Sequence, residues 1–351
     1  MTFDEVLEIK NGRNQRAVED PNGRYPIYGS GGIMGYANDF ICQADTVIIG
    51  RKGNINKPIY VDEPFWNVDT AFGLEAKKDI LLPKYLYYFC LRYDFEKLNK
   101  AVTIPSLTKA DLLKIELDLP TIDNQVDIVD KLGIIEHIIT LRRHELQSLD
   151  DLIKARFVEM FGNGYPEDTL INLCNIIDYR GKTPEKVELG LPFITAKNIK
   201  MHQMSMEPRE YISKETYDKV MVRGFPKEGD VVFTTEAPLG NVCRIPHFDT
   251  EFYIGQRIVT LQTEKLIPAY LEYALSTEDF KQKYMGKSSG STVTGIRVRL
   301  LEQLTIPVPP IDLQKQFADF VTQIDKSKAV AQKALDEAQL LFDSLMQKYF
   351  G

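Results

Sequence analysis

Asp69, Glu75 and Lys77 are the residues whose types and spacing come nearest to a catalytic pattern. An aspartate followed by Glu-x-Lys is the arrangement of a metal-dependent nuclease, where carboxylates hold the metal and the lysine polarises the attacking water. The pattern is short, and Gln262 and Glu264 stand at the matching places of a similar later stretch. An exposed strand face accounts for it better, which leaves a stand-alone nuclease as the alternative reading. Other chemistries find less support. Cys42, Cys90, Cys174 and Cys243 are far apart, form no C-x-x-C and have no histidine cluster beside them, so buried reduced thiols are expected and a zinc site is not. No G-x-x-x-x-G-K-[ST] loop is present to bind ATP. Val308-Pro-Pro-Ile311 lacks the polar first residue and aromatic last residue of a methyltransferase tetrapeptide. The expectation is therefore no catalytic residue, no metal and no cofactor of its own.

Binding chemistry is better represented. Tyr28-Gly-Ser-Gly-Gly-Ile-Met-Gly-Tyr36 and Gly50-Arg-Lys-Gly-Asn54 lie in the first third of the chain. Thr234-Thr-Glu-Ala-Pro-Leu-Gly-Asn241 and Gly286-Lys-Ser-Ser-Gly-Ser-Thr-Val-Thr-Gly-Ile-Arg297 lie in the second half. Glycine lets a backbone approach a ligand closely, while Arg, Lys, Asn, Ser and Thr bond phosphates and base edges. Taken singly, each loop reads as turn chemistry; their occurrence in both halves favours contact. The candidate DNA-binding residues are Ser30, Arg51, Lys52 and Asn54 in one set. The other set is Thr235, Asn241, Lys287, Ser288, Ser291 and Arg297.

The charge is −7 overall, which disfavours a self-sufficient DNA binder. It is unevenly spread. Residues 1–119 hold 15 basic and 17 acidic residues and 163–308 hold 18 and 19, so each leaves room for one basic face. No window is long and apolar enough for a membrane span, and the acidic start MTFDEVLEIK does not read as a signal peptide. A cytoplasmic protein without membrane contact is expected.

The elements that must position these loops are written twice. Shifted by 189 residues, positions 112–162 align with 301–351 without a gap, and 11 of the 51 pairs are identical. Each copy leaves a proline (Pro120; Pro309), meets Asp123 or Asp312 as a plausible N-cap, and then runs on with apolar residues at helical spacing. About 37 helical residues span about 55 Å. A narrow apolar stripe of that length needs a partner helix, and the simplest is its own repeat, paired antiparallel about a pseudo-twofold axis. Upstream, residues 46–50 and 231–234 read as buried strands, and 83–101 and 268–283 as helices starting at a proline. The fold class expected is α+β: two mixed α/β domains, 1–119 and 163–308, held apart by long antiparallel helices in 120–162 and 309–351.

Nearly the whole chain resembles the specificity subunit of type I restriction–modification systems. The repeated P-x-I-D-x-Q at 120–125 and 309–314 is similar to that family's entry to its spacer helices. Tyr25-Pro-Ile-Tyr-Gly-Ser-Gly-Gly-Ile, Gly50-Arg-Lys-Gly-Asn and Trp66-Asn-Val-Asp-Thr-Ala-Phe resemble one type of target-recognition domain, and Gly229-Asp-Val-Val with Ser289-Gly-Ser-Thr another. The resemblance implies a DNA-binding, non-catalytic subunit whose two domains each read half of a split target. It also implies two methylation subunits using S-adenosylmethionine, and two restriction subunits using ATP and Mg. Pro120, Gln125, Pro309 and Gln314 are the docking residues it points to. A coiled-coil adaptor that binds no DNA is the other alternative.

Overall fold

The computed structural model describes all residues except 100–103, 163, 180–182 and 289–293. The chain divides into two compact units, residues 1–144 with 331–351, and residues 145–330.

In the first unit the uninterrupted apolar run Thr46–Gly50 is a fully buried strand, as such a run bounded by turns should be. It sits inside an antiparallel sheet ordered Ile59–Val61, Thr46–Gly50, Ala71–Ala76, Leu7–Asn11. Alternation sends Val47 and Ile49 to one face, where they join Phe72, Leu74, Tyr85 and Leu86 in the main core. Ile48 goes to the other face with Cys42 and Phe65. A second sheet pairs Tyr25–Gly29 antiparallel with Gly32–Ala37 and parallel with Trp66–Asn67.

The second unit repeats both sheets. Its antiparallel order is Val242–Arg244, Val231–Thr234, Ile258–Gln262, Asn175–Asp178. Leu191–Ile194 lies antiparallel to Tyr211–Ile212 and parallel to Tyr253–Ile254. The repetition reaches single hydrogen bonds. Arg51 N–H donates to the Thr70 carbonyl and Thr235 N–H to the Arg257 carbonyl, both at 2.8 Å. Leu107 N–H donates to Arg51 O and Ile296 N–H to Thr235 O, both at 3.0 Å. The hydroxyls of Tyr85 and Tyr270 donate to the Asp118 and Pro307 carbonyls at 3.2 and 2.6 Å.

Three local expectations are corrected. The helix expected over 83–101 is Pro83–Arg92, followed by a 3-10 turn Phe95–Leu98, because Asp94 turns its carboxylate onto the Glu96 N–H and starts a new element. The helix expected over 268–283 is two helices, Pro268–Leu275 and Glu278–Met285. Thr277 is extended and its hydroxyl caps the Phe280 N–H at 3.2 Å, so the chain restarts there. The long helices run Ile122–Phe161 and Ile311–Phe350, 40 residues each and so about 60 Å. They begin one residue before Asp123 and Asp312, which therefore lie in the first turn, favourably near the positive end of the helix dipole, and are not N-caps.

Each unit contains a stretch of both long helices running antiparallel. In the first, Phe342, Leu345, Met346 and Tyr349 pack into the core with Ile128 and Leu132, while Arg143 donates to Gln339 at 3.4 Å. In the second, Lys328 meets Asp150 at 2.5 Å, Arg156 lies over the Phe320 ring, and Phe157 packs edge-on against Phe317. Phe157, Phe161, Phe317, Tyr270 and Tyr273 form one aromatic cluster. Burying each such ring is worth about 1.5–3 kcal/mol, and the edge-on contacts add to that. The pairing expected from the duplicated stripe is thus observed within each unit.

Candidate nucleic-acid interface

In the first unit the strand Thr46–Gly50 ends in a tight loop that brings four candidate residues together. Gly50 is required there: a Cβ would stand 2.3 Å from the Asn54 carbonyl. The loop is tied down by Arg51 and Lys52 N–H groups on Thr70 O and by Gly53 N–H on Pro105 O. Ser30, at the turn between the hairpin strands, donates to Lys52 O at 3.5 Å. Arg51, Lys52 and Asn54 are exposed. The Arg51 guanidinium rests 5.8 Å from the Phe72 ring centre and reaches Asp69 O at 3.5 Å, so its aim is partly fixed. Beside Ser30 the hairpin exposes Ile33 (55 %), Met34 (62 %) and Tyr36 (45 %), an apolar edge that loop composition alone did not flag.

In the second unit the equivalent strand end, Thr234–Thr235, is reached by the loop returning through Gly240 and Asn241. Gly240 has φ +94°, and a Cβ would lie 2.2 Å from the Tyr284 hydroxyl. This close approach seats the helix Glu278–Met285, and with it Lys287 and Ser288, against the loop. Lys287 and Arg297 are exposed, and Ser288 donates to Met285 O at 2.8 Å. Arg297 follows Ile296, whose N–H is bound by Thr235 O. Two expectations change. Thr235 is only 8 % exposed, and the Asn241 side-chain amide donates to Ile199 O at 2.8 Å, so these two hold the loop and do not face outward. Ser291 lies outside the described residues.

Arg257 lies outside both candidate sets. It is exposed, has φ +74°, and borders a cavity of about 280 Å³ lined also by Lys186, Phe193, Lys197 and Gln256. No local signal marks it, because its place is set by strand register.

The docking set is also corrected. Gln125 is 0 % exposed and Gln314 is 1 % exposed. Gln125 accepts from Leu82 N–H at 2.8 Å and donates to Ile80 O at 2.9 Å and Pro120 O at 3.0 Å. Gln314 accepts from Ile267 N–H at 2.9 Å and donates to Pro309 O at 2.8 Å. Pro309 is buried as well. These residues clamp the start of each long helix to its own domain, and the glutamines have no surface left for a partner. On the first long helix the stripe Ile134, Ile138 and Leu141 is exposed, at 62, 40 and 52 %.

The nuclease arrangement is not assembled. Asp69 lies in the turn before the strand Ala71–Ala76 and Glu75 lies near that strand's far end, about 13 Å of strand beyond Ala71 at about 3.3 Å per residue. Lys77 donates to Asp4 O and Glu5 O, and Glu75 accepts from Gln43 N–H. All four cysteines are free and buried, and burial pushes the Cys42, Cys174 and Cys243 thiols up to about 12. They are core residues, far from thiolate reactivity. In the second unit the nearly inaccessible Glu272 (1 % exposed) accepts from Arg244 at 2.6 Å and meets His202 at 2.9 Å. Arg244 continues to Asp325 on the second long helix at 3.2 Å, and these carboxylates offset its desolvation and raise its pKa. The network anchors helix to sheet. No helix among the described residues is long and apolar enough to cross a membrane.

Comparison with known proteins follows the duplicated architecture. The family profile described as the type I restriction modification DNA specificity domain matches residues 1–150 and 169–339. A type I restriction enzyme MjaVIII specificity subunit from Methanocaldococcus jannaschii is 23% identical over 328 residues, covering 84% of this chain and 73% of that one. A putative type I restriction enzyme specificity subunit from Haemophilus influenzae is 22% identical, covering 99% and 92%. Among solved structures, the S subunit of a type I system from M. genitalium superposes over 100% of this chain and 95% of its own, with a TM-score of 0.66 at 17% identity.

Proposed function

Because the chain belongs to the type I restriction–modification DNA specificity family, whose subunits are non-catalytic, we propose that residues 1–119 and 163–308 each read one half of a split duplex target. One observation carries this reading: the two domains share sheet order and individual hydrogen bonds, yet differ in the side chains at the loop positions. Two copies of one scaffold with different loops suit two half-sites of different sequence. Ser30, Arg51, Lys52 and Asn54 contact the first half, and Lys287, Ser288, Ser291 and Arg297 the second. Thr235 and Asn241 hold the second loop in shape.

The helical segments 120–162 and 309–351 set the gap between the half-sites. Two methylation subunits, which bring S-adenosylmethionine to an adenine, dock along exposed helix faces such as Ile134, Ile138 and Leu141. Two restriction subunits bring ATP and Mg. Near-neutral domains give few released counterions, so the partners supply part of the grip on DNA. The test is methylation mapping of the reconstituted complex. Asn54→Ala should relax one half-site and Arg297→Ala the other; relaxation of the same half by both would refute the two-domain reading.

A further inference from the structure

Arg51 and Arg257 belong to the equivalent cross-strand pair in the two domains, as opposite members of it. The ladder of the first domain ends at Gly50 opposite Ala71, and that of the second at Thr234 opposite Ile258. One step beyond, residue 51 donates its N–H to the carbonyl of residue 70, and residue 235 to that of residue 257, both at 2.8 Å. The two equivalent pairs are therefore Arg51/Thr70 and Thr235/Arg257. Arginine and threonine have exchanged strands, and each domain keeps one arginine at this sheet end.

The surroundings of Arg257 fit a ligand-facing role. Its side chain is 52 % exposed, whereas Thr235 is buried. Its φ of +74° is a conformation that side chains other than glycine rarely hold, and such residues cluster at sites where function or surroundings fix them. It borders the 280 Å³ cavity with Lys186, Lys197 and Glu210; Glu210 pairs with Lys186 at 2.8 Å, so the lining carries three cations against one carboxylate. The carboxylate of Glu236 lies 3.8 Å from the guanidinium, with both side chains exposed. Such a pair is weak in water and exchangeable for another acceptor. Guanine offers O6 and N7 at the spacing of an arginine fork, the commonest specific contact in the major groove.

We infer that Arg257 is the second domain's guanine-reading arginine, the counterpart of Arg51. This rests on the two-domain reading above. The test uses the full chain assembled with its methylation subunits and a panel of duplexes altered one base pair at a time. Arg257→Gly removes the side chain and suits the left-handed backbone, so its melting temperature should match or exceed that of the parent. It should lose about 5- to 150-fold of its discrimination at one G·C position of the second half-site, with the first half-site intact. Arg51→Ala should do the same in the first. Equal weakening on every sequence, with the slope of log K against log salt shallower by about 0.9, would make Arg257 a phosphate contact and overturn the guanine assignment. So would unchanged binding by a folded Arg257→Gly complex. If the parent's target is not divided into two parts, the two-domain reading itself fails.

Discussion

Replacing Gln125 by alanine should unlatch the first long helix from its domain. The side chain is fully buried and serves three backbone groups: Leu82 N–H, Ile80 O and Pro120 O, at 2.8 to 3.0 Å. Truncation takes this partner from all three in a part-buried setting, so the lower end of the cost range applies. A buried backbone group left unsatisfied costs about 1–3 kcal/mol, so three at the lower bound cost about 3 kcal/mol. For a unit of this size each kcal/mol lowers the melting temperature by about 2–4 °C, so the expected fall is about 6–12 °C. Gln125→Glu should be no better, since it keeps the acceptor for Leu82 but turns its other carboxylate oxygen toward both carbonyls. Gln314→Ala should act likewise in the second unit, through Ile267 and Pro309. Urea and thermal unfolding of the three variants provide the assay. Losses below about 1 kcal/mol in both alanine variants would refute the clamp.

Four residues inserted after Gln147 and four after Asp336 lengthen each helix by about 6 Å and turn it slightly more than once. Methylation mapping should then show the same half-sites with a gap one or two base pairs longer; an unchanged gap would mean that the helices do not measure it. Glu272→Ala should destabilise the second unit by about 1.5–3 kcal/mol in urea, because Arg244, one-third exposed and still held by Asp325, loses its most buried acceptor, and a loss under 1 kcal/mol would contradict the anchoring role. Glu167 has its pKa held below the usual 4.5 by hydrogen bonds from Lys283 and Thr305. A depressed carboxyl pKa gives stability that is present above about pH 4.5 and fades as pH falls through the folded value. Unfolding midpoints of the parent and Glu167→Gln should therefore differ at neutral pH and converge in acid; divergence in acid would reverse the sign.

The features legible in the sequence were those governed by local rules. Unbroken apolar runs marked the strands Thr46–Gly50 and Val231–Thr234, and Pro83 and Pro268 marked helix starts. The duplicated stripe gave the pairing of the long helices. Helix ends were less legible, because Asp94 and Thr277 compete with the helix by capping a new turn within an otherwise helical pattern. The candidate loops were found from glycine and polar content, but the direction of each side chain depends on distant partners. Asn241 is taken up by Ile199, 42 residues away, and Gln125 by Leu82, 43 residues away. Arg257 became visible only once strand register placed it opposite Thr235.

If each domain reads one part of the target, this one chain directs modification to a target in two parts. Genome-wide mapping of adenine methylation in the host, with and without this gene, tests it most directly. Loss of the gene should abolish methylation at one motif made of two short specific segments separated by a fixed unspecified gap. A single contiguous motif, or a methylation pattern that does not change, would contradict it.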